Sequence, residues 1–196
     1  MGTSAHSFTL LHDSETEAFR SQIESMGAET TLLVDTYEIE PAVREAVRLT
    51  EGKIAAVRID SGDLSMAASK VRHLLDSLGA TETKIVVTSD LDEYTIAALA
   101  AAPVDRYGVG TSLVTGSGHP TVGFVYKLVA HSDGYGWVDV AKTSTSKANR
   151  GGKKFASRKI EGSIATAELV GGDSQGRPLQ VQLVEDGECS SVAMGT

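Results

Sequence analysis

The sequence predicts an α/β fold in which a run of βα units builds a parallel sheet and a smaller antiparallel β module follows it. Two observations carry this. Between Thr31 and Gly110, short β-branched runs alternate with segments of helical period. The repeat of about 25 to 30 residues is the spacing of βα units in barrels and doubly wound sheets. Beyond Thr111 the helical period disappears, and short alternating runs are separated by Gly, Asp and Ser turns.

Each element has its own signal. "TTLLVDTY" reads as the first strand and "PAVREAVRLT" as the helix after it, with Pro41 suited to a first turn and Val43, Ala46 and Val47 on one face. "KIAAVRIDSGD" is the second strand and its loop. In "LSMAASKVRHLLDSLG", Leu64, Ala67, Ala68, Val71, Leu74, Leu75 and Leu78 recur at three-and-four spacing, and Gly79 closes the helix. "KIVVTSD" gives a third strand, "LDEYTIAALAAA" a helix ended by Pro103, and "DRYGVGT" a fourth short strand. "GFVYKLVA", "GWVDVAK", "KFASRKI", "SIATAELV" and "LQVQLVE" then read as antiparallel strands, with the boundary near His131: residues 1–130 in the first part, 131–196 in the second, "GFVYKLVA" fitting either.

Composition narrows the function. The chain has 196 residues, 41% of them apolar, enough for a core of ordinary size. Its 18 basic and 26 acidic residues give a net charge of −8, which speaks against a nucleic-acid footprint or adhesion to an anionic membrane. The lone Cys189 cannot form an internal disulfide, and no secretory signal, lipidation motif or membrane-spanning run is visible, so a cytoplasmic setting is expected.

In parallel α/β architectures ligands sit at the carboxyl ends of the strands. Here those ends read "VDTYE", "VRIDSGD", "VTSDLDE" and "YGVGTS", and bring Asp35, Arg58, Asp60, Ser61, Asp90, Gly110, Thr111 and Ser112 to one rim. Asp63 and Asp92 are equally suited to capping the next helices, and Gly108 and Gly110 to a tight turn. Asp60 is harder to assign to structure, because a capping residue already follows it. Glycine amides and hydroxyls suit an anion, carboxylates suit Mg²⁺ or a ribose diol, and Arg58 suits a carboxylate held bidentately or a structural ion pair. A phosphorylated sugar is the expected ligand. Seven Lys or Arg lie between Val140 and Ile160 without an acid, forming a solvated loop or one that reaches over an anion. "MGTSAHSF" alone reads as a frayed polar end. No CxxC, HExxH or P-loop pattern is present.

"GTSAHSF", "LLVDTY", "VRIDSGDL", "VTSDLDE", "GVGTSLVTGSGHPTVGFVYKLVA" and "GGKKFASRK" occur in this order in nicotinate phosphoribosyltransferases, which the chain resembles over nearly its whole length, in an actinobacterial version. The resemblance implies a type II phosphoribosyltransferase fold, an irregular β/α barrel with a β-rich domain, in a homodimer. It implies a ligase-class reaction of nicotinate with phosphoribosyl pyrophosphate, giving nicotinate mononucleotide for NAD salvage, with ATP as co-substrate and Mg²⁺ as cofactor. It also implies roles: His6 is phosphorylated by ATP, Thr3 lies beside nicotinate, and Arg58 binds the nicotinate carboxylate. Thr111 contacts phosphoribosyl pyrophosphate, Asp60, Asp90 and Gly110 line the ribose-phosphate pocket, and Asp35 and Lys127 are weaker candidates.

Family members carry a substantial region before the G-T-x-A-H motif, so the chain is expected to be a fragment whose missing part lies in the same or another polypeptide. A partial barrel leaves edge strands unpaired. Two other readings remain: a nicotinamide or quinolinate phosphoribosyltransferase, and a truncated, non-catalytic sugar-phosphate-binding domain.

Overall fold

A computed structural model describes residues 2–116, 122, 124–144, 148–173 and 176–190. Two helices precede the first strand, α1 (His6–Leu10) and α2 (Glu15–Met26). The second begins at a side-chain N-cap: Ser14 Oγ accepts the Glu17 N–H at 3.2 Å, and Ala18, Phe19 and Gln22 form its buried face.

Four parallel strands make the centre: β1 (Thr31–Leu33), β2 (Ala56–Ile59), β3 (Lys84–Val87) and β4 (Arg106–Tyr107). They are hydrogen-bonded in chain order, β1-β2-β3-β4. Between them run α3 (Ile39–Leu49), α4 (Leu64–Ser77) and α5 (Glu93–Ala98), the last continued by a 3-10 turn over Leu99–Ala101. Asp63 and Asp92 take the capping roles open to them, accepting the Met66 and Thr95 N–H groups at 2.9 and 2.7 Å. Gly79 lies just past α4 with φ 76°, where a side chain would be strained.

Alternation along the strands separates two faces. Leu32, Val34, Val57, Ile59, Ile85 and Val87 meet Val43, Ala46, Ala68, Val71 and Leu75 of α3 and α4 in one core. Each fully buried aliphatic side chain there contributes about 1.5–3 kcal/mol. On the opposite face Leu33, Arg58, Val86 and Arg106 lie in register across the sheet. This places Arg58 away from the helices.

After the short helix α6 (Thr111–Thr115), the remaining strands pair antiparallel: β5 (Ala130–Ser132) with β6 (Trp137–Asp139), β7 (Phe155–Glu161) with β8 (Ile164–Gly171) and β9 (Arg177–Pro178), and β10 (Val184–Glu185) with β11 (Glu188–Cys189). They form three separate small sheets among the described residues.

Two expectations need correction. "GFVYKLVA" is not a strand: from Phe124 to Val129 the described chain is irregular, and only Ala130 enters β5. Leu179–Leu183 of "LQVQLVE" is likewise outside any strand. In both stretches the alternation meets only isolated backbone bonds, such as Leu179 N–H to the Ala156 carbonyl of β7, and no continuous ladder, and β propensity is realised only against a paired neighbour. Residues 117–121 and 123 of the motif around "GHPTVG", and 145–147 of the basic run, lie outside the described residues.

Candidate active site

The ends of β1 and β2 deliver two carboxylates, Asp35 one residue after Val34 and Asp60 directly after Ile59. Asp35 is buried at 1% exposure, and its Oδ2 accepts the Asp60 N–H at 3.1 Å and the Ser61 hydroxyl in a short hydrogen bond. Its Oδ1 has no hydrogen-bond partner. Asp60 is more open, and its Oδ1 accepts a short hydrogen bond from Thr88 Oγ1 at the end of β3. The three strand ends are thereby tied together by side chains as well as by the ladder.

His6 reaches this rim from the other end of the chain. The Thr31 N–H donates to the Gly2 carbonyl at 3.0 Å, Thr30 Oγ1 donates to the same carbonyl at 3.2 Å, and Thr3 bridges in parallel to Thr31. The terminus is therefore held in place beside β1 instead of fraying. The first residue of α1 then projects over the strand ends, with His6 Nδ1 3.1 Å from Thr36 Oγ1. Its Nε2 stands 3.8 Å from Asp35 Oδ1 and 3.6 Å from Asp60 Oδ2.

The third side of His6 is closed by Lys142, from the stretch after β6. Lys142 is 1% exposed, and its Nζ lies 2.8 Å from His6 Nε2, 3.3 Å from Ser61 Oγ and 3.6 Å from Asp35 Oδ2. Its backbone is clamped by Asn149: the Lys142 N–H donates to Asn149 Oδ1 at 2.7 Å, and the Asn149 N–H to the Lys142 carbonyl at 3.1 Å. The Thr143 N–H donates to the Thr36 carbonyl at 3.2 Å. A lysine is rarely buried without a paired acid, and Asp35 supplies it.

Arg58 lies nearby on the inner face, its Nη1 donating to Thr3 Oγ1 at 3.3 Å. Burial holds its guanidinium below the ordinary arginine range, against the pull of Asp60 and Asp35, and its buried Nε has no hydrogen-bond partner. That is a fork with a donor to spare. Beside the cluster a cleft of about 800 Å³ opens between α3 and α4, lined among others by Asp35, Tyr37, Ser61, Lys70, His73 and Ser144.

Among the predicted site residues, His6, Asp35 and Asp60 come together, and Thr3 pairs with Arg58. Asp90 is exposed in the turn after β3, beside Ser89, whose φ of 134° is unusual for a residue with a side chain. Gly110 precedes α6 and Thr111 begins it, exposed; Lys127 is exposed on the irregular stretch before β5. No hydrogen bond or ion pair among the described residues ties Asp90, Gly110, Thr111 or Lys127 to His6. Among the described residues no group of three His, Cys, Asp or Glu side chains is arranged to hold a metal ion.

Sequence reasoning missed Lys142, Thr88 and the anchoring role of Thr36. Four other members of the basic run, Lys153, Lys154, Arg158 and Lys159, are engaged locally. Lys154 Nζ donates to the carbonyls of Arg150, Gly151 and Gly152, Lys153 stands 5.2 Å over the Phe155 ring, and Arg158 and Lys159 pair with Glu168 and Glu161. Gly151 and Gly152 pack against Asp139 and Val140, where a Cβ would meet Asp139. Only Lys142's burial separates it from its neighbours, and no spacing encodes that.

The chain is 50% identical over 186 residues to nicotinate phosphoribosyltransferase pncB1 of Mycobacterium tuberculosis, covering 90% of this chain and 40% of that protein. The chain is similar to a portion of nicotinate phosphoribosyltransferases. The relative of that name in Bacillus subtilis is 37% identical over 169 residues, 81% of this chain and 34% of its own. The chain thus spans about two-fifths or less of the curated relatives it matches. No family model matches it. Among solved structures, nicotinate phosphoribosyltransferase from Porphyromonas gingivalis aligns with TM-score 0.61 at 21% identity over 76% of this chain and 44% of that one. Nicotinate-nucleotide pyrophosphorylase from Pyrococcus furiosus aligns with TM-score 0.54 at 21% identity over 96% and 49%. Both likenesses are of fold: an α/β chain with one parallel and several antiparallel sheets. No helix among the described residues is long and apolar enough to cross a membrane.

Proposed function

We propose that the chain supplies the phosphohistidine-bearing part of a nicotinate phosphoribosyltransferase, which joins nicotinate to phosphoribosyl pyrophosphate and forms nicotinate mononucleotide with ATP hydrolysis. The observation that carries this is the meeting of His6 with Asp35 and Asp60 over the carboxyl ends of β1 and β2, in a chain half identical to a relative of that name. Chain-order pairing of the four strands supports a barrel sector, since right-handed crossovers put successive helices on one side while doubly wound sheets reverse their strand order. Residues 1–130 are read as barrel and 131–196 as part of a β-rich domain, in a homodimeric cytoplasmic enzyme.

In this reading His6 accepts a phosphoryl group from ATP. Arg58, with Thr3 beside it, takes the nicotinate carboxylate through its planar fork. Attack of the pyridine nitrogen on the anomeric carbon, with pyrophosphate leaving, passes through oxocarbenium-like charge, and Asp60 is placed to stabilise it from the rim. Asp90, Gly110 and Thr111 are assigned to the ribose-phosphate and pyrophosphate, with Lys127 a further phosphate contact. The donor set fits Mg²⁺ brought in on a polyphosphate and touched by Asp60 or the unpartnered Oδ1 of Asp35, not a resident cage. When bound, Mg²⁺ supplies charge neutralisation on the departing pyrophosphate.

The test is intact mass after incubation with ATP and Mg²⁺, run on this chain and on a chimaera in which it replaces the matching portion of the mycobacterial relative. One added phosphate is expected, absent in His6→Asn, together with nicotinate mononucleotide formation by the chimaera. A folded chimaera that takes up no phosphate and forms no product overturns the reading.

A further inference from the structure

The contacts around His6 fix more than its position. Beside the Asp35 carboxylate, Lys142 is an ammonium, with three donors and no acceptor. The Ser61 hydroxyl gives its proton to Asp35 Oδ2, so the Ser61 oxygen is free to accept from Lys142. At 2.8 Å the ammonium also meets His6 Nε2, which must therefore be the accepting nitrogen and carry the lone pair. Nδ1 then holds the ring proton, and Thr36 Oγ1, 3.1 Å away, receives it.

We propose that Lys142 is a positioning residue for His6: it holds the imidazole as the Nδ1–H tautomer and keeps on Nε2 the electron pair that an N–P bond requires, the ammonium covering that pair until a phosphoryl group displaces it. The functional half of this inference rests on the reading of His6 as the residue that takes phosphate. Thr36 completes the arrangement from two sides. Its hydroxyl receives the Nδ1 proton, and its carbonyl receives the Thr143 N–H from the segment that carries Lys142. Lys142 and the ring are thus referenced to the same residue at the end of β1. Once phosphate is on the ring, the ammonium is already adjacent to pair with its oxygens.

The experiment is ¹⁵N NMR of the histidine side chains in the full chain, which distinguishes a protonated from an unprotonated ring nitrogen, combined with phosphate uptake by mass. The wild-type chain is expected to show a protonated Nδ1 and an unprotonated Nε2 at His6. Lys142→Met is expected to release the ring into exchange between tautomers and to slow phosphate uptake at least about ten-fold, the scale of one charge-assisted hydrogen bond. Lys142→Arg is expected to restore the tautomer. Thr36→Val, in which Lys142 remains, is expected to keep the Nδ1–H form and tests the assignment even if Lys142→Met does not fold. A wild-type ring protonated on Nε2, a Thr36→Val ring that switches tautomer, or a folded Lys142→Met chain with unchanged ring and uptake overturns the proposal. Correct tautomers throughout with no phosphate uptake in any variant would instead sink the enzymatic reading and leave the positioning role standing.

Discussion

Gly108 is the place where one added methyl group should be felt at the candidate site without touching it. Its N–H donates to the Val87 carbonyl at 2.9 Å, and this draws its Cα against Thr88, so that a Cβ would fall well inside contact distance of Thr88 Cγ2. Thr88 is β-branched and stiff about χ1, and its hydroxyl is the donor that holds Asp60. Gly108→Ala must either leave that overlap as strain, about 1–3 kcal/mol, or turn Thr88 away and break a hydrogen bond to a carboxylate, about 1.5–3 kcal/mol. Against this stands about 0.4–1 kcal/mol gained by stiffening the unfolded chain. The net expectation is a loss of about 1–2 kcal/mol. Thr88→Ser removes Cγ2 and keeps the hydroxyl, so in that background Gly108→Ala should be neutral or slightly stabilising. Urea unfolding of the four proteins of this cycle measures the coupling. Equal costs of Gly108→Ala in both backgrounds would refute the route from Gly108 through Thr88 to Asp60.

Two further outcomes follow from buried charge. Burial, with Asp35 and Glu45 adding to it, pushes the Glu15 carboxyl up to about 7 from an ordinary 4.5. The folded chain therefore holds a proton the unfolded chain has lost, and the associated stability is full below about 4.5 and gone once pH has risen through about 7. Discounted for partial exposure it amounts to about 1–2 kcal/mol, so Glu15→Gln should flatten the fall in urea midpoint across that window and leave the protein more stable than wild type above it. Asp35→Ala strands the Lys142 ammonium and should cost about 3–5 kcal/mol, while adding Lys142→Met should cost less than the two losses combined; full additivity by calorimetry would deny the pair.

What was legible in the sequence was whatever repeats or neighbours itself. Strands β1 to β4 and helices α3 and α4 announce themselves by period, the Asp63 and Asp92 caps by their place before an apolar face, and Asp35 and Asp60 by standing just beyond buried runs. His6 and Thr3 came from resemblance, since nothing local distinguishes a reactive histidine from one on a polar terminus, whereas Arg58 stood at the rim by its place in "VRIDSGD" and took only its nicotinate role from resemblance. Lys142 was illegible because its partners are far away in the chain: inside a run of basic residues its type is unremarked, and only tertiary packing buries it. The over-reading of Phe124–Val129 and Leu179–Leu183 has the complementary cause. Their alternation is real, but no continuous strand ladder among the described residues pairs with them; Leu179 makes a single backbone bond to Ala156 of β7.

The bond between His6 and Lys142 joins residues 136 positions apart. During synthesis the parallel sheet emerges well before Lys142, so Asp35 must wait, next to its future partner's empty place, until the late segment arrives. Closing a loop of that length is slow compared with forming βα neighbours, although its entropic cost grows only logarithmically. The charge cluster can therefore close only after the stretch that follows β6 has emerged. A polypeptide interrupted after β4 would carry the whole parallel sheet and still leave its histidine unset, which makes the state of that one ring a readout of whether the segment carrying Lys142 has docked.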